Sequence, residues 1–241
     1  METGSDPSSN TSFYEWMKVG SRRSAQAVVP FLVELLEPRS VVDAGCGTGS
    51  WLKVFRENGV DELLGLESGS IDASLLEIAP EELLLASVLD ELPLSRRFDL
   101  ALCLEVAHYL PPETAPRLVE NLSALAPAVL FSSAIPGQGG ADADEPSNQQ
   151  WPDYWAALFE PHGYVCVDCV RPRIWDDEEV EVWYAQNTVL FAERSLLEQQ
   201  PVLAREYDRA RGRPLSVVHP RMFRASQRRL SRALAELNRA P

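Results

Sequence analysis

A glycine-rich stretch follows the first predicted strand of the chain: residues 41–49 read Val41-Val42-Asp43-Ala44-Gly45-Cys46-Gly47-Thr48-Gly49. The apolar residues at its start predict a buried strand, and the pattern after it predicts a helix that begins at Ser50. Glycine is needed where a backbone turns sharply from strand to helix and where a ligand lies against bare backbone. The stretch therefore predicts a ligand-binding loop at the carboxyl end of a strand in an α/β sheet.

The spacing of these glycines excludes two common ligand loops. A dinucleotide-binding loop follows the pattern G-x-G-x-x-G, whereas here Ser50 stands in the third glycine position and the third glycine is Gly49. A phosphate-binding loop needs a lysine followed by serine or threonine, and this loop has neither pair. We therefore do not expect a nicotinamide-dependent dehydrogenase or a nucleotide hydrolase.

Short apolar runs alternate with helical patterns along the rest of the chain. Strands are predicted at residues 40–44, 63–66, 83–86, 100–104, 129–132, 164–170 and 188–192. Helices are predicted at residues 21–36, 50–58, 71–78 and 112–124, and residues 171–181 read as a loop. The alternation predicts a Rossmann-like α/β fold, with a seven-stranded, mostly parallel sheet and helices on both faces. The last two strands are suited to form an antiparallel pair at the sheet edge.

Composition and length bound the organisation of the chain. Its 241 residues, 45% hydrophobic and 24% charged, exclude a wholly disordered or fibrous protein. We predict an N-terminal helical lid over residues 1–37, a ligand-binding domain over residues 38–193 and a basic helical C-terminal extension over residues 194–241. No apolar run reaches the roughly 18–20 residues of a membrane span, and the polar N-terminus does not resemble a signal peptide. A cytoplasmic location is therefore expected.

The net charge of −14 is unevenly distributed. Residues 194–241 hold 11 Lys and Arg against 4 Asp and Glu, whereas residues 1–193 hold 11 against 32. Because the acidic part repels phosphate backbones and anionic lipid, neither nucleic acid nor membrane is expected as a partner. The basic tail is expected to lie against the acidic body of its own chain or of a second subunit, which is compatible with a homodimer.

The four cysteines predict neither a disulfide framework nor a metal site. They are few and scattered for a chain of this length, although Cys166 and Cys169 form a C-x-x-C pair. That pair falls in a predicted strand, where side chains three residues apart point to opposite faces. No second pair follows to complete four ligands, so no metal is predicted.

The glycine loop, of the form D-x-G-x-G-x-G, resembles the binding loop of class I S-adenosylmethionine-dependent methyltransferases. Other stretches resemble a bacterial branch of small methyltransferases in the same class, and the resemblance covers about residues 13–192. They lie at residues 20–25, 104–107, 130–140, 151–155 and 183–187, and residues 98–105 match the F-D-x-v segment of the wider superfamily. The resemblance implies S-adenosylmethionine as cofactor and S-adenosylhomocysteine as product.

The resemblance also implies which residues bind the cofactor. Glu67 ends the second predicted strand eighteen residues after Gly49, where a carboxylate accepts hydrogen bonds from both ribose hydroxyls. Ser87 stands at the end of the third strand, where this superfamily often carries an acidic residue beside the adenine. The expected cofactor-binding residues are Asp43, Gly45, Cys46, Gly47, Gly49, Glu67, Ser68, Ser87, Val88 and Leu104.

The chain departs from the branch next to the expected acceptor pocket, which predicts a changed substrate. The branch motif E-V-A-E-H-L-P is replaced by residues 105–111, E-V-A-H-Y-L-P, and the motif H-x-N-E-Q-W by residues 147–151, S-N-Q-Q-W. His108 is the candidate general base, with a helix-capping role as the alternative. Glu105 and Tyr109 are candidates to orient the acceptor, and Glu105 could instead cap the next helix.

Aromatic and amide residues complete the predicted acceptor site. Tyr14 and Trp16 are predicted to fold over the pocket, with a place in the core as the alternative. Gln150, Trp151 and Tyr154 are expected to contact the substrate. Three further residues, Trp155, His162 and His219, are predicted to be structural.

We therefore predict methyl transfer to a nitrogen or oxygen atom of a small molecule, either a specialised metabolite or a sugar. The alternative is a methyltransferase-like subunit that binds cofactor or serves structure without catalysis. The intact glycine loop and Glu67 argue for the enzyme, and the changes at Ser87, His108 and Gln149 keep the alternative open.

Overall fold

The computed structural model describes residues 7–69, 71–92, 96–138 and 148–237, with side chains described for residues 18–235 of these ranges. Within this part of the chain, seven strands form one sheet: β1 (Ser40–Ala44), β2 (Glu62–Glu67), β3 (Leu83–Leu85), β4 (Leu100–Leu104), β5 (Ala128–Ser132), β6 (Tyr164–Val167) and β7 (Val189–Glu193). The strand order is β3-β2-β1-β4-β5-β7-β6. Strands β1 to β5 are parallel, and β7 is antiparallel to both β5 and β6. The predicted fold class is confirmed.

Helices connect and flank these strands. Their bounds are α1 (Pro7–Leu36), α2 (Ser50–Glu57), α3 (Ala115–Leu125), α4 (Pro152–Phe159), α5 (Arg171–Ile174), α6 (Val182–Asn187), α7 (Arg194–Gln199), α8 (Pro201–Ala210) and α9 (Pro220–Leu237). In the basic C-terminal region, α8 lies against β6 and α9 lies against α6. None of the helices in the described ranges is both long enough and apolar enough to cross a membrane.

The sheet separates two apolar cores because successive strand residues face opposite sides. Val41 belongs to the core that contains Leu32 of α1 and Phe55 of α2, whereas its neighbour Val42 belongs to the core on the other face. The second core contains Trp155 of α4, which is 1% exposed, as predicted for a structural residue. Fully buried, continuous apolar strands are typical of a parallel sheet covered on both faces.

The helix predicted over residues 71–78 is wrong. The segment holds only a short 3-10 turn at Ala73–Leu75. Asp72 accepts hydrogen bonds from the backbone and hydroxyl of Ser74, and the Glu77 amide donates to the Thr48 carbonyl at 2.8 Å. These local side-chain bonds and the tie to the glycine loop replace the helical ones.

Two other predictions around the sheet edge need correction. The strand predicted over residues 164–170 ends at Val167, where the Cys169 amide turns back to the Val167 carbonyl at 2.8 Å. The following stretch, predicted as a loop, begins with α5, because buried Arg171 pairs with Asp168 and holds that turn in place. All four cysteines are free thiols, and Cys169 lies outside β6.

Candidate active site

A cavity of about 720 Å³ lies at the carboxyl ends of the parallel strands. Its size is within the range of about 300–1,000 Å³ that is usual for small-molecule sites. The strands contribute residues from the ends of β1 to β4, while α1, α6 and α9 contribute Lys18, Tyr184 and Met222. The predicted site residues on its wall are Asp43, Gly45, Cys46, Gly47, Glu67, Ser68, Ser87, Val88, Leu104, Glu105, His108 and Tyr109.

The glycine loop turns directly from β1 into α2. Gly45, Gly47 and Gly49 have φ values of 86°, 51° and 80°, in the left-handed region that favours glycine. A Cβ on Gly45 would overlap Cγ2 of Val106. Gly49 does not line the cavity; it precedes α2, and a Cβ there would lie 2.9 Å from Ile78. Gly45 and Gly49 therefore have no room for a side chain, and Gly45 and Gly47 present bare backbone at the cavity wall.

We expect Gly45→Ala to destabilise the protein more than Gly59→Ala. Both glycines have nearly the same φ, 86° and 88°, but nothing lies within 4 Å of a Cβ on Gly59. Each substitution should cost about 1–2 kcal/mol for the left-handed backbone. Gly45→Ala should cost about 1–3 kcal/mol more because its methyl group overlaps Val106. Urea denaturation measures the difference, and equal midpoints would show that the loop accommodates the methyl group.

Glu67 is fixed at the end of β2 by backbone amides. Its Oε2 accepts from the Gly47 amide at 3.0 Å, and its Oε1 accepts from the amides of Ser68 and Gly69 at 2.9 and 3.2 Å. An ionised carboxylate has about four acceptor positions, and three are used here, so Oε2 can accept a further hydrogen bond directly and Oε1 can do so in place of one of its two amide donors. The side chain fits a vicinal diol such as a ribose, which donates two hydrogen bonds.

Asp43 places a buried carboxyl group on the cavity wall. It is 2% exposed, and its carboxyl group accepts no hydrogen bond from the described part of the chain. Burial, and secondarily the charge of Glu67, raise the pKa of Asp43 to about 7. A buried carboxylate that lacks a protein partner fits a cationic ligand group or an ordered water.

We expect Asp43→Asn to stabilise the ligand-free protein at pH 8 but not at pH 4. Because the pKa of Asp43 is raised in the folded state, the stability associated with this group is present below its unfolded pKa and lost as the pH rises through 7. The gain at pH 8 should reach at least about 1.4 kcal/mol, the free energy of one pKa unit. Urea denaturation at the two pH values tests this, and an equal effect at both would contradict the burial of an ionisable carboxyl group.

At the end of β3, a hydroxyl group and an apolar side chain lie beside each other. The Ser87 Oγ accepts from the Leu89 amide at 3.1 Å, which leaves its O–H free to donate. Val88 is buried and also lines the cavity. Together they offer one hydrogen-bonding group and an apolar surface, which suits the edge and face of a nucleobase.

Glu105, the first residue after β4, has a strained backbone and a perturbed carboxyl group. Its φ of 57° is unusual for a residue with a side chain. Its Oε1 accepts from Asn187 Nδ2 at 3.1 Å. Burial raises the pKa of Glu105 to about 7, although hydrogen bonds from Asn187 and Ser132 oppose the shift. A carboxyl group with this pKa can accept a proton near neutral pH.

His108 is held in one tautomer by the loop after β5. The Ala134 amide donates to His108 Nδ1 at 3.1 Å, so the neutral ring carries its proton on Nε2. The side chain is 3% exposed, and burial lowers its pKa to about 4. A neutral ring with Nδ1 occupied offers an N–H donor, so this geometry favours a donor role over the predicted base role.

The chain matches a family of known proteins over much of its length. The profile of a methyltransferase-domain family matches residues 15–181, which is more than half of the chain. The chain belongs to this methyltransferase family. No curated protein matches the methyltransferase by sequence.

Solved structures share the fold of this methyltransferase. A magnesium protoporphyrin IX methyltransferase from Synechocystis PCC 6803 with bound S-adenosylmethionine is 17% identical, with 80% of this chain and 100% of that chain covered and a TM-score of 0.55. A sugar N-methyltransferase from Streptoalloteichus sp. ATCC 53650 is 16% identical, with 80% and 99% covered and a TM-score of 0.59. A 1,6-didemethyltoxoflavin-N1-methyltransferase from Burkholderia thailandensis is 21% identical, with 79% and 91% covered and a TM-score of 0.52.

Several residues predicted for the acceptor site lie elsewhere. The described residues that line the cavity do not include Gln150, Trp151 or Tyr154. The Gln150 side chain donates to Asn148 Oδ1 at 3.2 Å, Trp151 is 38% exposed, and Tyr154 packs edge-on against Trp155. The predicted lid residues Tyr14 and Trp16 fall within α1, but their side chains lie outside the described residues.

Of the two histidines that were predicted to be structural, one is buried and the other is exposed. His219 is buried, and its ring nitrogens bond the Trp175 carbonyl and the Arg221 amide. His162 is exposed in the 3-10 turn that follows α4.

The structure adds cavity residues that the sequence reasoning missed. Tyr184 and Ser21 are joined by a hydrogen bond between hydroxyl groups at 3.0 Å, and Tyr184 packs edge-on against Trp51. The stretches at residues 20–25, 130–140 and 183–187 carried a signal for four of them, Ser21, Gln138, Trp183 and Tyr184, since these stretches are part of the family resemblance. The missed residues on the wall include Lys18, Ser21, Trp51, Gln138, Trp183, Tyr184 and Met222.

Proposed function

We propose that this methyltransferase transfers the methyl group of S-adenosylmethionine to a nitrogen or oxygen atom of a small molecule. One observation carries the proposal: a single cavity contains both the glycine loop with Glu67 and a second carboxyl group, Glu105, whose pKa is raised to about 7. The first group suits the nucleoside of the cofactor, and the second suits proton transfer at an acceptor.

The cofactor end is built by β1, β2 and β3. Glu67 accepts hydrogen bonds from the ribose hydroxyls, while Ser87 and Val88 hold the base. Asp43 compensates positive charge, since its carboxyl group is buried without a hydrogen-bond partner in the described ranges. When bound, the cofactor would supply an electrophilic methyl group on a sulfonium, with the thioether of S-adenosylhomocysteine as the leaving group. The protein contributes mainly alignment and exclusion of water.

The acceptor end is built by residues after β4. Glu105 accepts the proton that an N–H or O–H acceptor releases, and His108 donates from Nε2 to hold the acceptor. Tyr109, which is 55% exposed on the cavity rim, is placed to orient it as well. The need for a proton acceptor is what favours nitrogen or oxygen chemistry, because such acceptors lose a proton as the new bond forms.

A small acceptor is supported by the enclosure of the site. The cavity of about 720 Å³ has to hold the cofactor and the acceptor together. Two of the similar structures are a sugar N-methyltransferase and a toxoflavin-precursor N1-methyltransferase, which act on small molecules. In this proposal, the acceptor is a specialised metabolite or a sugar. The central domain, residues 38–193, binds the cofactor, and α1 and the C-terminal extension, residues 194–241, close it.

The proposal is tested by calorimetric titration followed by an acceptor screen. The purified protein should bind S-adenosylmethionine and S-adenosylhomocysteine but not NAD. Incubation with S-adenosylmethionine and a metabolite library should yield a product heavier by one methylene group in mass spectrometry. Cofactor binding without any methylated product would support a non-catalytic, cofactor-binding subunit. Absence of cofactor binding would overturn the enzyme and leave a structural subunit.

A further inference from the structure

Some of the residues that line the cavity lie beyond the part of the sequence that the family profile matches. The match ends at residue 181, whereas Trp183 of α6 and Met222 of α9 both border the cavity and are only partly buried. We propose that Trp183 and Met222 form apolar walls of the acceptor end and select a planar aromatic or heteroaromatic acceptor that carries a hydroxyl or N–H group. This inference rests on the proposed methyl transfer.

The sheet topology places the helices that carry these two residues on the side of β5 and β7. The nucleoside side is formed by the ends of β2 and β3, at one edge of the sheet. Helix α6 leads into β7, which pairs with β5 on the other side of β1, and α9 lies against α6. Asn187, at the end of α6, donates to Glu105 after β4, and Trp183 and Met222 line the same cavity as Glu105 and His108.

Met222 is held at the cavity by a buried hydrogen-bonded segment. The Gln186 side chain of α6 donates to the Val217 carbonyl at 2.7 Å and accepts from the His219 amide. His219 Nε2 bonds the Trp175 carbonyl at 2.6 Å. Because Gln186 and His219 are almost fully buried, these bonds fix the start of α9, and with it Met222, relative to α6.

A second tie joins α9 to the loop after β5. Arg229 Nη2 donates to the Gly137 carbonyl at 3.1 Å, and the next residue, Gln138, lines the cavity. Gln138 Oε1 accepts from Asn187 Nδ2, the same atom that donates to Glu105. The C-terminal helix is thus connected on two sides to the residues around the acceptor carboxyl group.

The chemistry of this end matches a flat, largely apolar molecule. An indole ring offers a stacking face, and a methionine thioether makes favourable contacts with aromatic rings. The polar side chains that we place on this side are Glu105, His108, Tyr109 and Gln138. Lys18 donates to the Leu75 carbonyl and lies 3.9 Å from Glu77, and the Ser21 and Tyr184 hydroxyl groups bond each other, which leaves fewer of their positions for a ligand. A sugar would bury several hydroxyl groups here without partners, which weakens binding.

The test measures acceptor binding to the full-length protein saturated with S-adenosylhomocysteine. The probes are a panel of planar compounds of one to three rings with a hydroxyl or ring N–H group, beginning with 4-hydroxyquinoline, and methyl α-glucopyranoside as the sugar. Calorimetry should show that at least one planar probe binds and that the sugar does not. Met222→Trp should weaken planar binding by about tenfold or more, because the added ring fills the pocket.

Matched variants distinguish an effect of Met222 on the cavity wall from a general effect of substitution on α9. Phe223→Trp introduces the same side chain at the next position, which is 57% exposed and outside the cavity wall, and should change planar binding less than about twofold. Met222→Ala removes the wall without adding bulk and should weaken binding by about tenfold. Neither Met222 variant should alter the affinity for S-adenosylhomocysteine.

The outcomes distinguish a failure of the planar-acceptor inference from a failure of the proposed methyl transfer. Three results would overturn the inference and leave the proposed methyl transfer unaffected. The sugar could bind as tightly as the planar probes, or both Met222 variants could bind the planar probes unchanged. The protein could also bind S-adenosylhomocysteine but none of the planar probes. If the wild-type protein did not bind S-adenosylhomocysteine at all, the proposed function itself would be overturned.

Discussion

Glu67→Ala should weaken the binding of S-adenosylhomocysteine by about a hundredfold. In the proposed complex the carboxylate accepts two hydrogen bonds from the ribose, and hydrogen bonds to a charged group contribute about 1.5 kcal/mol or more each. A loss of about 3 kcal/mol corresponds to roughly two powers of ten in Kd. The substitution also removes the acceptor for the Gly47 amide, which loosens the glycine loop itself. Calorimetric titration measures the change.

Two further variants control this experiment. Glu62→Ala removes an exposed carboxylate at the other end of the same strand, where it pairs with Arg96, and should leave cofactor affinity unchanged. Glu67→Gln retains the size of the side chain and some acceptor capacity, and should lose about tenfold. If Glu67→Ala bound S-adenosylhomocysteine as tightly as the Glu62 control, the ribose would have to lie elsewhere.

Glu105→Gln should reduce the rate of methyl transfer by about a hundredfold to ten-thousandfold, the usual contribution of a general base. The wild-type rate should rise with pH and level off above about 7, because the pKa of Glu105 is raised to that value and only the ionised carboxylate accepts a proton. The variant should lack this rise. Single-turnover rates from pH 5 to 9, with an acceptor found in the screen, provide the measurement.

The same variant tests whether the loss is chemical rather than structural. A glutamine oxygen still accepts from Asn187 Nδ2, and the neutral side chain avoids the buried charge. Since the pKa of Glu105 is raised in the folded state, Glu105→Gln should be more stable than the wild type above pH 7. The exposed Glu113→Gln should change neither rate nor stability. Retention of the pH dependence in Glu105→Gln, together with its loss in His108→Asn, would return the base role to His108.

The sequence reasoning was accurate where the structure depends on residues near one another along the chain. Seven apolar runs, interrupted by helical patterns, predict the seven-stranded sheet, since a buried strand needs little more than a short apolar run. The spacing of Gly45, Gly47 and Gly49 predicts a tight strand-to-helix turn, which the φ values confirm. The helix expected at residues 71–78 failed because Asp72 and Glu77 bond the backbone instead.

In the candidate site, too, some features follow from local sequence and others from contacts between distant segments. The sequence alone determined the fold class, the glycine loop and the acid at the end of the second strand, because each depends on a pattern within a few residues. Only the tertiary structure decided that the pKa of Glu105 is raised and that of His108 is lowered, because both shifts come from burial. That burial is produced by distant segments, such as the one that brings Asn187, 82 residues away, against Glu105. It also decided that Met222 reaches the cavity, since a buried contact between distant segments leaves no local pattern in the sequence.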